Sequence, residues 1–465
     1  MRGMAGSGWA YVLCAVLGCD DGAGGARQAG DAAVDADARV GDAGQGEDGA
    51  PDAGPPDGGA RDCDDSRPPL VMMHGLLAAG DTFAPHVQRF AANGLCLDRY
   101  HAFDWASLVG QPHSHVGELD AFVDAVRALH GVETVDLMGH SAGGALGYAY
   151  LSDPARAAKV ARYVHVASPP MDGPAGPDDA PVPTLQLWSA DDTIIAGADI
   201  PGAQNVELPG QDHYAVATAP EAFEALYPFL YGEAPTVVQA PPAEPIVLSG
   251  KALVLADNTP EAGATIEMWT VGAGGQRTEA APEASLVAAE DGAFGPFAAK
   301  PGQHYEFVVR PQREGAPPVR YYREPFRRTD PLVYLRTLPM PPSFAGTLLR
   351  QVPFDDAHTV LVVFNASRAV IAGVDSLTVD SVEMATEALA SADATMIALF
   401  LYDVGADGAS GGVVSAFGVF PFLSALDFFI GADPARSTRI ELNGRVLEVP
   451  RWPSASEGAV IAVFD

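Results

Sequence analysis

The chain has 465 residues, 48% of them apolar, with four cysteines and 60 acidic against 27 basic residues, a formal charge of −33. Such a chain repels phosphate backbones and anionic lipid surfaces, which sets aside nucleic acid as a partner and electrostatic docking to membranes. No run of 18 apolar residues occurs, so no ordinary membrane-spanning helix is expected, and the length suits two or three domains.

Residues 1–19 have the pattern of an export signal: Arg2 is the lone charge, and an apolar stretch from Trp9 to Leu17 follows. The ending Val16-Leu17-Gly18-Cys19 resembles a bacterial lipobox, which implies lipidation of Cys19 and a location in the cell envelope or outside the cell. Residues 20–66 are low-complexity Asp, Gly, Ala and Pro, with almost nothing to bury, and are expected to be a solvated acidic tether. If the first two cysteines, Cys14 and Cys19, leave with the signal and take lipid, Cys63 and Cys96 remain, an even pair suited to a disulfide in an oxidising compartment.

From residue 67 to 234 strands and helices alternate. The apolar run Leu70–Met73 reads as a buried strand, 81–92 as a helix capped by Asp81 or Thr82 and ended by Asn93-Gly94, and 97–103 as a second strand. A helical stripe covers 116–129, and strands follow at 134–138, 163–166, Thr184–Trp188 and 205–208 before a helix at 220–230. This alternation predicts a doubly wound parallel sheet. After a proline-marked linker at 235–246, residues 247–465 change character. Short β-like runs at 246–255, 265–271, 305–309, 333–337, 359–364, 396–402 and 459–464 predict an all-β region, a barrel or a sandwich followed by a barrel. Within it the apolar stretch 417–430 reads as core, with an acyl-chain site as the competing reading, and 320–328 reads as a basic-aromatic patch of structural ion pairs at a domain contact, with ligand binding as the competing reading.

The sharpest local signal is Gly139-His140-Ser141-Ala142-Gly143. A G-x-S-x-G string recurs by chance, but here it leaves a strand and opens a small-residue helix, as a nucleophile elbow requires. Gly139 and Gly143 leave room for a tight turn that presents the Ser141 hydroxyl. That hydroxyl needs a base, and the base needs an orienting carboxylate, following the serine in the order acid then histidine. His213 lies in the loop between the last strand and the last helix of this half. Asp191 and Asp192 compete for the acid; the Asp-x-apolar-apolar pattern favours Asp192. Backbone N–H groups of Leu76, after the first strand, and Ala142 would hold the oxyanion. His113 and His115 read as loop residues and Asp403 to Gly408 as a tight turn, so the sequence calls for no metal and no cofactor.

Residues 66–232 resemble a small α/β-hydrolase of the lipase kind. The whole of 66–465 resembles the archaeal two-domain lipases, through His74-Gly75-Leu76, Arg89-Phe90-Ala91-Ala92-Asn93-Gly94, Val135 to Ser141, Arg156 to Ala161, Tyr321 to Phe326, and Asp403 to Gly408. The resemblance implies hydrolysis of long-chain acyl esters, with the C-terminal part receiving the acyl chain. The partners expected are therefore a lipid or other hydrophobic ester, and a membrane only through a lipid anchor. Two departures stand out. Val166-Ala167-Ser168, where the resembled enzyme keeps its acid, has none, and 104–115 is too short for a helical lid. A polyester depolymerase or thioesterase would use the same triad, and a surface binding lipoprotein could retain the fold without the activity.

Overall fold

The computed structural model describes residues 63–465; the expected signal segment, Cys19 and residues 20–62 lie outside the described residues. Six strands form one sheet: β1 (Leu70–Met73), β2 (Tyr100–Phe103), β3 (Val135–His140), β4 (Val160–Val166), β5 (Thr184–Trp188) and β6 (Gln204–Glu207). They run in the order β2-β1-β3-β4-β5-β6, every pair parallel. Helices α1 (Ala84–Ala92), α2 (Val116–His130), α3 (Ala142–Leu151), α4 (Pro154–Ala157) and α5 (Pro220–Tyr231) connect them. Strand periodicity explains the two faces. Leu70 and Met72 pack with Phe90 of α1 and Phe223 of α5, while Val71 and Met73 pack with Val123 of α2 and Leu146 of α3. The chain moves from β1 outward to β2, then returns to the other side of β1 to form β3. The strand order reverses there, so the crevice beyond the carboxyl ends of β1 and β3 is where such a sheet receives ligands.

Local departures from the expected elements have identifiable causes. Residues Gly80–Phe83 form a 3-10 turn and α1 starts only at Ala84, with no side-chain cap. Asp81 does not cap the helix; its carboxylate pairs with Arg336 from the C-terminal region. Leu97–Arg99 is also a 3-10 turn, because β1 is four residues long and pairs with only four residues of β2. Cys63 and Cys96 are bonded as a disulfide. Beside it the Asp64 N–H donates to the Gly94 carbonyl at 2.7 Å and the Asp64 carbonyl accepts from Cys96 N–H at 3.2 Å, so the chain is attached to the fold before the expected tether boundary.

The C-terminal region is rich in strands. They are β7 (Ile246–Val254), β8 (Thr265–Val271), β9 (Ala284–Val287), β10 (Ala293–Ala299), β11 (His304–Arg310), β12 (Val319–Arg323), β13 (Asp330–Thr337), β14 (Leu361–Asn365), β15 (Leu377–Val379), β16 (Val382–Glu383), β17 (Ala398–Tyr402), β18 (Leu423–Asp427), β19 (Asp433–Leu442), β20 (Arg445–Arg451) and β21 (Ala459–Phe464). An eight-stranded sheet in the order β18-β17-β14-β21-β12-β11-β8-β9 is shared by its early and late parts, joined where β12 runs parallel to β21. Three strands (β10-β7-β13) and four strands (β16-β15-β19-β20) make two smaller sheets. Along β21, Val460, Ala462 and Phe464 pack with Leu377, Ile440 and Leu447 of the four-stranded sheet, while Val463 packs with Phe297 and Val333 of the three-stranded one. The strands thus stack as layered sheets instead of closing as a barrel. Alternation in a sequence marks strands but not how a sheet ends. The basic stretch from 320 is itself a strand: Arg320 is buried and paired with Glu306 and Glu457.

The two halves share apolar and polar contacts. Leu253, Leu332 and Tyr334 join the cluster around α1 and α5. Lys251 pairs with Asp104 at 3.0 Å, and Asn93 clasps the linker through Thr236 and Val237.

Candidate active site

β3 ends at His140, and α3 begins at Ala142, leaving Ser141 alone in the turn at φ 54°, ψ −119°. That conformation is strained for a residue with a side chain and persists only where the surroundings enforce it. Here the Ser141 N–H donates to the Val166 carbonyl at 2.9 Å, and the Ser168 hydroxyl donates to the Ser141 carbonyl at 2.9 Å. The flanking glycines are required by close approach. A Cβ on Gly139 would sit 2.4 Å from the Gly143 carbonyl oxygen, and one on Gly143 would sit 2.3 Å from the Met73 carbonyl oxygen. Both obstacles are backbone and cannot swing aside.

His213 and Asp192 are both buried, and the His213 Nδ1–H donates to Asp192 Oδ2 at 2.7 Å. The other oxygen, Oδ1, accepts from the backbone N–H groups of Ile194 and Ile195 at 2.8 and 2.9 Å, which fixes the carboxylate plane. Burial pushes the Asp192 carboxyl up, but His213 and these two amides outweigh it and hold the group below the ordinary carboxylate value. Asp191 is exposed and instead accepts from Gly210 N–H at 2.6 Å, supporting the loop that carries His213. Of the two competing aspartates, therefore, Asp192 meets the imidazole.

Ala142 occupies the first position of α3, where a helical N–H has no carbonyl of its own helix to bond. Leu76 lies in the loop after β1, in which Leu77 N–H donates to Ser107 Oγ at 2.9 Å and Ala78 N–H to the Gly75 carbonyl at 3.3 Å. His74 braces this loop. Its Nε2 accepts from the Trp105 backbone N–H at 3.1 Å, so its proton is on Nδ1, which donates to the Gly75 carbonyl at 2.8 Å. Burial lowers the His74 pKa and keeps the ring neutral. Holding the Gly75 carbonyl on one side turns the Leu76 N–H to the opposite side of the same planar peptide.

By sequence, His140 is only the free position of the elbow motif. In the structure it supports the base. Burial and the neighbouring His213 push its pKa down to about 3, and the neutral ring donates Nε2–H to the His213 carbonyl at 3.1 Å. The two rings lie 4.9 Å apart. A histidine at that motif position, in a chain whose base sits on the last loop, was the available clue. By contrast, His165 is held by Tyr163 and the Pro169 carbonyl, and His115 by Glu118 and the Val109 carbonyl. Asp403 accepts from the Asp407 and Gly408 amides, the expected tight turn.

Ser141, His213, Leu76 and His140 line one cavity of about 1070 Å³ that extends into the C-terminal region. Its far wall includes Ala398 and Phe400 of β17, Phe344 of α6 (Phe344–Leu349), and Phe417, Phe420 and Phe422. Phe400 and Phe417 stack at 4.5 Å. The apolar stretch expected as core is therefore divided: Phe417, Phe420, Phe422 and Leu423 line the cavity, Phe417 packing as well in a buried cluster with Phe400 and Tyr402, whereas Phe428 and Ile430 pack in the core with Leu401.

Comparison with known proteins places these halves. Residues 68–208 match the model of the alpha/beta hydrolase fold, and residues 244–339 match that of the lipase C-terminal domain. Residues 349–465 match a further model, a "-like, C-terminal domain". Among solved structures, the chain is similar to the mature form of Bacillus licheniformis lipase BlEst2, at 15% identity over 36% of this chain and 94% of that one, with a TM-score of 0.29. It is also similar to Aspergillus fumigatus lipase B (12% identity, 37% and 55% covered, TM-score 0.30). A third likeness is to the carboxylesterase CesB (YbfK) of Bacillus subtilis (15% identity, 37% and 86% covered, TM-score 0.27). The chain is thus similar over residues 68–208 to the alpha/beta hydrolase fold and over residues 244–339 to the lipase C-terminal domain.

Proposed function

We propose that this chain is a serine carboxylester hydrolase of the lipase and esterase kind, acting on long-chain acyl esters through an acyl-enzyme. The observation that carries the reading is the His213–Asp192 pair, at 2.7 Å, opening with Ser141 onto a cavity whose far wall is aromatic. Ser141 Oγ attacks the ester carbonyl while His213 Nε2 takes its proton, and Asp192 keeps the imidazole in the tautomer that leaves Nε2 free to accept. The Leu76 and Ala142 N–H groups receive the charge on the carbonyl oxygen. Collapse of the tetrahedral intermediate breaks the ester C–O bond, and His213 returns the proton to the departing alcohol. Water, deprotonated by the same imidazole, then releases the acid. The Val-Leu-Gly-Cys ending supports export and lipid attachment at Cys19, which would bring the enzyme to its substrate without help from an acidic surface.

The test is Ser141→Ala on chromogenic esters of short and long acyl chain. Hydrolysis should fall by several orders of magnitude, to a residue set by the oxyanion site and binding alone. Turnover equal to that of the unaltered protein refutes the assignment. Failure of the unaltered protein to form a covalent adduct with a serine-directed phosphonate would favour a binding protein on a hydrolase fold.

A further inference from the structure

We propose that Asn258, a residue of the C-terminal region, is a positioning residue for the oxyanion loop of the hydrolase domain. The inference rests on the ester-hydrolase reading above and adds to it a dependence of the catalytic domain on its companion. Asn258 follows β7 and takes φ 50°, a left-handed conformation that a short polar side chain tolerates. Its own N–H bonds back to the Val254 carbonyl at 2.9 Å, closing a turn that points the side chain into the hydrolase domain. There the carboxamide nitrogen lies 2.8 Å from the Ala78 carbonyl, 3.0 Å from the Trp105 carbonyl and 3.1 Å from His74 Nε2. Its two hydrogens serve the two carbonyls, with His74 sharing. The residue is 6% exposed.

These contacts bracket the residue that matters. His74 and Ala78 stand two residues before and after Leu76, so one buried amide group ties down both ends of the segment carrying the oxyanion donor. The Trp105 carbonyl links it to the loop after β2, whose own N–H holds His74 in the Nδ1–H tautomer. The same region clamps that loop a second time. Asp104 accepts from Lys251 Nζ at 3.0 Å and from the Tyr334 hydroxyl at 2.9 Å, while its other oxygen accepts from Gly80 N–H at 2.9 Å. Without the Asn258 amide, two buried carbonyls lose a donor, and such groups move to find another. The Leu76 N–H would then be aimed less accurately, which weakens transition-state binding more than substrate binding.

The experiment compares the full chain with Asn258→Gly, which accepts φ 50° freely and removes the amide, and with Asn258→Asp, which keeps the shape but turns a carboxylate toward the two carbonyls. A butyrate ester is used, so that the acyl-binding wall contributes little. For Asn258→Gly, kcat should fall roughly ten- to a hundredfold, short of the 10²–10³ lost with an entire oxyanion donor, with KM within about threefold. Affinity for an alkylboronic acid, a tetrahedral mimic at Ser141, should fall by the same factor as kcat, and Asn258→Asp should lose more than Asn258→Gly. Asn93→Ala, which removes hydrogen bonds to the linker, controls for loosening of the domain contact. A kcat within about twofold of the unaltered enzyme for both Asn258 variants, measured well below their Tm, overturns the inference and leaves the ester-hydrolase reading intact. A kcat loss in Asn93→Ala equal to that in Asn258→Gly also overturns it. An unaltered chain that hydrolyses no ester overturns both.

Discussion

If the aromatic wall receives the acyl chain, its contribution should be readable methylene by methylene. Burying one CH₂ is worth about 0.8 kcal/mol, or roughly fourfold in kcat/KM, so lengthening the acyl group from four to eight carbons should raise kcat/KM by about 3 kcal/mol, roughly two hundredfold. Ala398 is the position at which to interrupt this. It is 8% exposed, lies on β17 two residues from Phe400, and lines the cavity beside the Phe400–Phe417 stack. Ala398→Trp would place an indole where the chain is expected to run, using existing space at a folding penalty of about 1–3 kcal/mol for imperfect fit. The assay is kcat/KM for p-nitrophenyl esters from C2 to C16, with Tm recorded for each protein. The unaltered enzyme should gain steeply with length and then level off. The variant should keep C2 and C4 hydrolysis within about threefold and lose most of the C8 advantage. A folded Ala398→Trp protein with an unchanged ratio of C8 to C4 would refute the assignment of this wall to the acyl group, because a side chain of that size cannot share the space with one.

The other two predictions concern the acid and the response to pH. Asp192→Asn should lower kcat about 10⁴-fold by stabilising the wrong tautomer of His213, whereas Asp191→Asn, which removes the charge but keeps an oxygen able to accept the exposed bond from Gly210 N–H, should stay within about tenfold; the reverse order would reassign the acid. Burial holds His74, His86, His101, His140 and His165 below the ordinary imidazole value, to about 4 for His101 and His165 and about 3 for His140. Below about pH 6.5 the unfolded chain therefore protonates these rings more readily than the native state does. Burial has the opposite effect on Asp136 and Asp330, raised to about 7 and about 6, so near pH 5 the native state retains two protons that the unfolded chain has released. The buried rings outnumber the two carboxyls, so the unfolded state binds more protons near pH 5 and stability should fall on acidification through the range below about pH 6.5. Urea midpoints at pH 7.5, 6 and 5 measure this; a midpoint that rises as the pH is lowered would contradict the burial of these rings.

What could be read in advance was what depends on nearby backbone. The elbow is legible because its glycines answer to obstacles within the same turn and the adjoining strand, and the order of Ser141, an aspartate and His213 follows from the direction in which a doubly wound sheet is traversed. The choice between Asp191 and Asp192 needed more, since neighbouring residues point opposite ways and only the fold decides which one faces the imidazole and which the Gly210 amide. Phe417 to Leu423 was ambiguous for a deeper reason. A core and the wall of a lipid-sized cavity need the same apolar side chains, and they differ only in whether the facing volume is filled. Arg320, read with its neighbours as part of a patch of structural ion pairs, is indeed paired and 1% exposed, but its own stretch does not name its partners, Glu306 and Glu457. Asn258, Lys251 and Arg336 form the last class. Each is unremarkable in its own stretch, and each reaches a partner, His74, Asp104 or Asp81, that is at least 147 residues away. No pattern within either half encodes those pairings, so the hydrolase domain taken alone would keep the bonds of its first loop to His74 and Ser107 but lack the bonds that Asn258 and Lys251 supply.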